Sequence, residues 1–247
     1  MSRWPLIALG IGAYAFALIA AAPATLIDAQ LEQASAGSLR LAEASGTLWS
    51  GAGQIEILDA NRRSGIAKSI AWRIRPAYLL RGKLLYEVTL DQALRSFPVT
   101  ISPARIEVAD ADINLPAAAL GLGVPKLAAL GLTGDMLLRV TRLALGRGSI
   151  QGNATLQWHG AGSAYTRISP LGDYELRLEG SGAGAKALLR TLQGPLQLEG
   201  QGSWTNGSRP AFQGSARVPP QQMQQLAPLL RMFAQERGEG SFDLVLK

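Results

Sequence analysis

The distribution of apolar positions changes character near residue 40. From Trp4 to Ala22 the run WPLIALGIGAYAFALIAAA carries no charged residue. As a helix rising 1.5 Å per residue it spans about 28 Å, close to the hydrocarbon thickness of a bilayer. The run predicts a transmembrane helix over 4–22, behind a short tip at residues 1–3. Ala22-Pro23-Ala24 supplies the small residues of a cleavage site, so a removed signal peptide is the competing reading. Against it, the run is longer than the apolar core of about 7–15 residues in such peptides, and its basic flank is only Arg3 and the amino terminus. Ala13, Ala17 and Ala21 form one small-residue row on this helix and Ala8 and Gly12 another, a surface that lets a second helix approach. Beyond it, Thr25 and Asp28 have capping-box-like spacing, and Leu26, Ile27 and Leu31 would line one side of a short helix ending at Ser35–Ser38.

Past residue 40 the period becomes two. Apolar and polar residues alternate over Leu48–Ile57, Ile70–Ile74, Leu84–Leu90, Arg105–Leu115, Met136–Leu145, Ser149–Trp158, Tyr174–Glu179, Pro195–Glu199, Phe212–Val218 and Phe242–Leu246. Such segments are half-buried strands, and Gly, Pro, Asn and Asp between them form turns. Glycines inside the strands, at 51, 53, 152, 200, 202 and 214, mark bulges or bends, so the sheet should curve strongly. Helical segments are few: Gln221–Glu236, with Met223, Leu226, Leu230 and Phe233 on one side and a kink at Pro228, and a shorter one over Gly184–Leu192. The predicted fold is mainly β: an N-terminal transmembrane helix, then over residues 25–247 a strongly curved, mostly antiparallel sheet with one or two short helices. The Ala/Leu/Gly/Pro-rich interval 116–132 is a candidate boundary between two lobes.

Charge gives the orientation. Arg3 is the sole basic residue before Arg40, and the first charges after the apolar run are Asp28 and Glu32. The positive-inside rule then leaves the N-terminus in the cytoplasm and carries residues 25–247 across the membrane. The 247 residues include no Cys and one His, which excludes thiolate nucleophiles, disulfides, Cys-ligated metal centres and sites needing two histidines. An enzyme is not expected, and neither is a cofactor.

Three constellations suggest chemistry without supporting it. Gly180-Ser181-Gly182-Ala183-Gly184, with Glu199 beyond, superficially fits a dinucleotide fingerprint. The strand before it alternates polar and apolar residues, however, and no βαβ series surrounds it. His159, after Trp158 at a strand end, lacks a partner at catalytic spacing. Asp110 and Asp112 share one strand face, but two carboxylates do not make a closed calcium site.

The net charge of +6 is concentrated in one place. Arg62, Arg63, Lys68, Arg73, Arg75, Arg81 and Lys83 occur with no acidic residue among them, and without these seven the chain would carry −1. Trp72 and Tyr78 lie between them. The composition suits nucleic acid, but a translocated domain meets anionic headgroups or an acidic protein instead, so these seven residues are the candidate partner or headgroup contact.

Gly46-Thr47-Leu48-Trp49-Ser50-Gly51 soon after the apolar run, then Leu156-Gln157-Trp158 with Ala161, then Ser169-Pro170-Leu171-Gly172-Asp173-Tyr174, resemble the type II secretion system protein N family over nearly the whole chain. His159-Gly160 intervenes before Ala161. The resemblance implies a bitopic protein of the bacterial inner membrane with a periplasmic β domain, no enzymatic activity and no cofactor. Its expected partners are other secretion subunits and membrane lipids, with no nucleic acid and no small-molecule substrate. Contacts would run through strand edges or the basic stretch. The alternative is a membrane-anchored lipid-binding or lipid-transfer protein using an apolar β groove.

Overall fold

The alternating segments become strands in the computed structural model, which describes residues 4–35, 37–58, 65–91, 95–123, 127, 129–205, 211–232, 234–238 and 240–246. The chain divides into two units, residues 1–77 with 86–96, and residues 78–85 with 97–247. Every described strand pairing is antiparallel.

The first unit begins with helix α1, Trp4–Ala20, and helix α2, Thr25–Ala34. Strands β1 (Leu39–Gly46), β2 (Ser50–Leu58) and β3 (Gly65–Ile74) follow in a meander, and β3 pairs with β4 (Leu84–Leu90). Leu41, Trp72, Ile74 and Tyr86 are its buried large apolar residues. Burial raises the Tyr86 phenol above its ordinary value. α1 has 17 residues, so the helix expected over 4–22 stops two residues early. Pro23 accounts for this, because its ring disfavours helical backbone at the preceding Ala22. Among the described residues no helix is long and apolar enough to cross a membrane. Every described side chain of α1 is exposed, Trp4 at 79%, Leu9 at 71% and Ile11 at 65%.

The expected capping box of α2 does not form, since no side chain caps its N-terminus. Asp28 instead accepts the Leu41 backbone N–H at 2.7 Å, and the Ser35 hydroxyl accepts that of Leu39 at 2.9 Å. Two outward-facing donors of edge strand β1 are thereby satisfied by α2, which blunts that edge against strand addition.

The second unit is a longer meander: β5 (Phe97–Ile101), β6 (Arg105–Pro116), β7 (Leu132–Gly146), β8 (Ser149–Ser163), β9 (Gly172–Gly182), β10 (Gly184–Gln193), β11 (Gln197–Thr205) and β12 (Ala211–Arg217). Strand β14 (Ser241–Leu246) lies between β12 and the short edge strand β13 (Gln235–Gly238). The interval 116–132 lies within this unit and carries helix α3, Ala119–Gly123.

The helix expected over Gly184–Leu192 is strand β10. Ala185, Ala187 and Leu189 point to one face while Lys186, Leu188 and Arg190 stay exposed on the other, and both edges are bonded, to β9 and β11. Pairing on two sides overrides the modest helix preference of Ala, Lys and Leu. The helix expected over Gln221–Glu236 shortens to a 3₁₀ turn, Pro220–Gln222, and helix α4, Met223–Leu230. Phe233 lies outside the described residues. α4 buries Leu226, Leu229 and Leu230 against Leu171, Leu196, Val218, Phe242 and Leu244, which form the main core of this unit. Strand glycines make room for Phe212: a Cβ on Gly200 would lie 2.5 Å from the ring, and Gly202 and Gly214 border the same ring.

Candidate functional site

The segment Gly46–Gly51 sits where α1 meets the sheet of the first unit. The Trp49 indole N–H donates to the Ile19 carbonyl at 2.9 Å, a second donor to a carbonyl of the last turn of α1 that also accepts the Ala22 N–H at 3.2 Å. Alongside it, the Leu48 N–H donates to the Ala22 carbonyl at 2.8 Å and the Ala24 N–H to the Gly46 carbonyl at 3.3 Å. The turn is held from the other side by β3. The Trp72 indole N–H donates to the Thr47 carbonyl at 3.1 Å and the Ile74 N–H to the Trp49 carbonyl at 2.7 Å.

The sequence of this turn is dictated by crowding. Gly46 has φ +90°, the left-handed region that glycine enters without strain. A Cβ on Gly51 would lie 2.3 Å from the Ser45 carbonyl oxygen and 2.5 Å from the Trp72 ring. Trp49 and Trp72 thus act as two indole clamps on one five-bond joint. The sequence singled out these residues, but not the carbonyl of Ile19 as their acceptor.

The basic stretch does not stay a uniform positive surface. Arg62 and Arg63 lie outside the described residues. Lys68 pairs with Asp91 and Arg75 with Glu87, because the β3–β4 hairpin brings those carboxylates beside the cations. Arg73 is exposed on β3 and has no ion pair among the described residues. Arg81 and Lys83 belong to the second unit, on and just after the 3₁₀ turn Pro76–Arg81, where the Arg81 guanidinium lies 5.8 Å from the centre of the Tyr78 ring.

In the second unit, Trp158 and Tyr174 face each other across β8 and β9, with ring centres 5.8 Å apart. The Trp158 indole donates to the Thr133 carbonyl at 3.0 Å and the Tyr174 hydroxyl to the Leu196 carbonyl at 3.0 Å. Burial and the neighbouring Asp173 charge push the Tyr174 phenol well above its ordinary value. His159 and Gly160 form the bulge that separates Trp158 from Ala161 in register with β9. Asp173 accepts the Gly160 N–H at 2.8 Å and the Gln193 amide at 2.7 Å, with the His159 Nδ1 at 3.6 Å. The Gly160 N–H is the main cause that holds the Asp173 carboxyl below its usual value. Among the described residues no hydroxyl bonds either His159 or Asp173.

Glu175 lies one residue on, with its side chain 6% exposed. Burial opposes its charge, yet the Gln157 amide at 3.2 Å and the Arg177 and Arg190 guanidiniums, each at 2.7 Å, hold the carboxyl below its ordinary value. Asp112 pairs with Arg139 at 3.1 Å, Asp110 is an exposed positive-φ residue, and no acidic or imidazole cluster that suits a metal ion occurs among the described residues. Gly180–Gly184 closes the β9–β10 hairpin and leads into a strand, so it offers no helix N-terminus to a phosphate.

The opposite face of these strands is apolar. Ile113, Leu138, Leu156, Leu176 and Leu189 stand in one cross-strand row over β6 to β10 and are half-buried. At the hairpin ends, Leu145, Ile150, Gly182 and Trp204 border a recess of about 230 Å³.

The family model described as type II secretion system (T2SS), protein N, matches residues 37–245. No curated protein and no solved structure matches the chain.

Proposed function

The chain belongs to the type II secretion system protein N family, and we propose that it acts as a non-enzymatic inner-membrane component of that secretion machinery. In this reading α1 lies in the bilayer with its N-terminus cytoplasmic, and the β units work in the periplasm by contacting other secretion subunits. The family match over residues 37–245 carries the proposal. The charge-free run and the exposed apolar surface of α1 support the anchor. An apolar helix whose described side chains are all exposed suits lipid, and 17 residues rise about 26 Å, near the lower limit for a span.

The Gly46–Gly51 joint gives the anchor a mechanical role, because five hydrogen bonds tie the helix exit and the sheet together in place of a free linker. With β1 blunted by α2, exposed polar faces suit subunit contact better than that strand edge. A photo-crosslinker placed at Arg73 or Arg177 in intact cells is expected to capture another secretion subunit. Capture of lipid alone, or unchanged export of folded proteins in cells lacking the chain, overturns the proposal.

A second reading, lipid binding in the periplasm, draws on the half-buried apolar row from Ile113 to Leu189. Mass spectrometry of the protein purified in its native state would find co-purifying acyl lipid in this case, and none if the row is only structural.

A further inference from the structure

We propose that the turn Pro76–Lys83 is a second membrane contact, an apolar wedge that dips into the anionic surface of the bilayer holding α1. The inference rests on the anchored reading given above for which bilayer this is. Leu80 is 94% exposed and Leu79 is 39% exposed, at the tip of the 3₁₀ turn Pro76–Arg81. Leucine side chains standing in water at a tip carry an unfavourable hydration free energy that burial among acyl chains relieves.

The flanking charges choose the partner. Residues 76–83 contain Arg81 and Lys83 and no acid, and unlike Lys68 and Arg75 neither cation has an ion pair among the described residues. Tyr78 lies under the Arg81 guanidinium, so an aromatic ring with a polar tip stands beside the cation, the arrangement found at headgroup level. Two leucines, an interfacial aromatic and two cations without an ion pair among the described residues, all on one turn, match an anionic bilayer surface. An acidic protein groove would match the cations and leave Leu80 without a partner.

Pro76 and Ala77, which open this turn, belong to the first unit. Trp49 binds the last turn of α1 through its indole and the end of β3 through its carbonyl, which accepts the Ile74 N–H. β3 therefore ends beside the point where α1 joins the sheet, and Pro76 follows Ile74 by two residues.

The chain has no cysteine, so single-cysteine variants report one site each. The full chain is reconstituted in vesicles, with an environment-sensitive NBD probe on Leu80→Cys, on Leu9→Cys within α1, or on Leu188→Cys on an exposed strand position. The expected result is blue-shifted emission from the Leu80 probe that shallow spin-labelled lipids quench in phosphatidylethanolamine–phosphatidylglycerol vesicles. The effect should be weaker in phosphatidylcholine, and the Leu188 probe should stay aqueous. Adding Arg81→Gln and Lys83→Gln should lower the ratio of inserted to free turn by about fivefold per cation. An aqueous Leu80 probe, or a shielded one that lipid spin labels do not quench, overturns the wedge. An unquenched Leu9 probe overturns the anchor instead, so the two failures are told apart.

Discussion

Replacing Trp49 by Phe keeps an aromatic ring at the helix–sheet joint and deletes one donor, the indole N–H that reaches the Ile19 carbonyl at 2.9 Å. The bond is solvent-exposed and the Ile19 carbonyl keeps the Ala22 N–H as a donor, so the loss stays near the net value of one hydrogen bond, about 1 kcal/mol. That free energy falls on a local opening. The Leu48–Ala22 and Ala24–Gly46 backbone bonds flank the deleted one, while α4 and the core around it lie in the other unit. Hydrogen exchange on the protein in nanodiscs should show the amides of Ala24 and Leu48 opening about fivefold more often, with the melting temperature of the second unit unchanged. Trp72→Phe acts on the same turn through the Thr47 carbonyl from a ring only 6% exposed, so the two substitutions should couple by more than about 0.5 kcal/mol in a double-mutant cycle. Independent effects, or an unchanged exchange rate at Ala24 and Leu48 in Trp49→Phe, would refute the joint as a cooperative clamp.

Gly51→Ala puts a methyl against the Ser45 carbonyl and the Trp72 ring and should cost about 1–3 kcal/mol, read as a lower denaturant midpoint of the first unit. Glu175→Gln leaves Arg177 and Arg190 facing a neutral amide and should destabilise the second unit measurably at pH 7. Because the folded Glu175 carboxyl lies below its ordinary value of 4.5, its contribution is present above that pH and lost as the pH falls through the folded value. Urea titrations of wild type and Glu175→Gln should therefore converge in acid and differ by a constant amount above about pH 6; a gap that widens in acid contradicts the ion-pair account.

Much of the fold was legible because a strand records its burial in alternate residues. Leu176, Leu178 and Tyr174 against Glu175, Arg177 and Glu179 fix both faces of β9. β1 was missed although Leu39 and Leu41 alternate with Arg40 and Ala42, since the segment is short and its second half bends at Glu43, a positive-φ residue. β10 was misread because Leu188 and Leu189 break the alternation, and Leu188 stays 51% exposed on the polar face. The basic stretch looked unopposed because Glu87 and Asp91 follow it in sequence and reach it only through the β3–β4 pairing.

Local chemistry thus settled what a short window can hold: the charge-free run, the period of two, the lack of thiols, and the glycine and tryptophan motif that carries the family resemblance. Folding alone decided which groups meet. Trp49 finds a carbonyl 30 residues back, Glu175 two arginines from its own and the next strand, and Lys68 an acid from the adjoining one. Alternation specifies which face a side chain takes, whereas its partner across the sheet depends on register, and register is fixed by turns and bulges that the period does not encode.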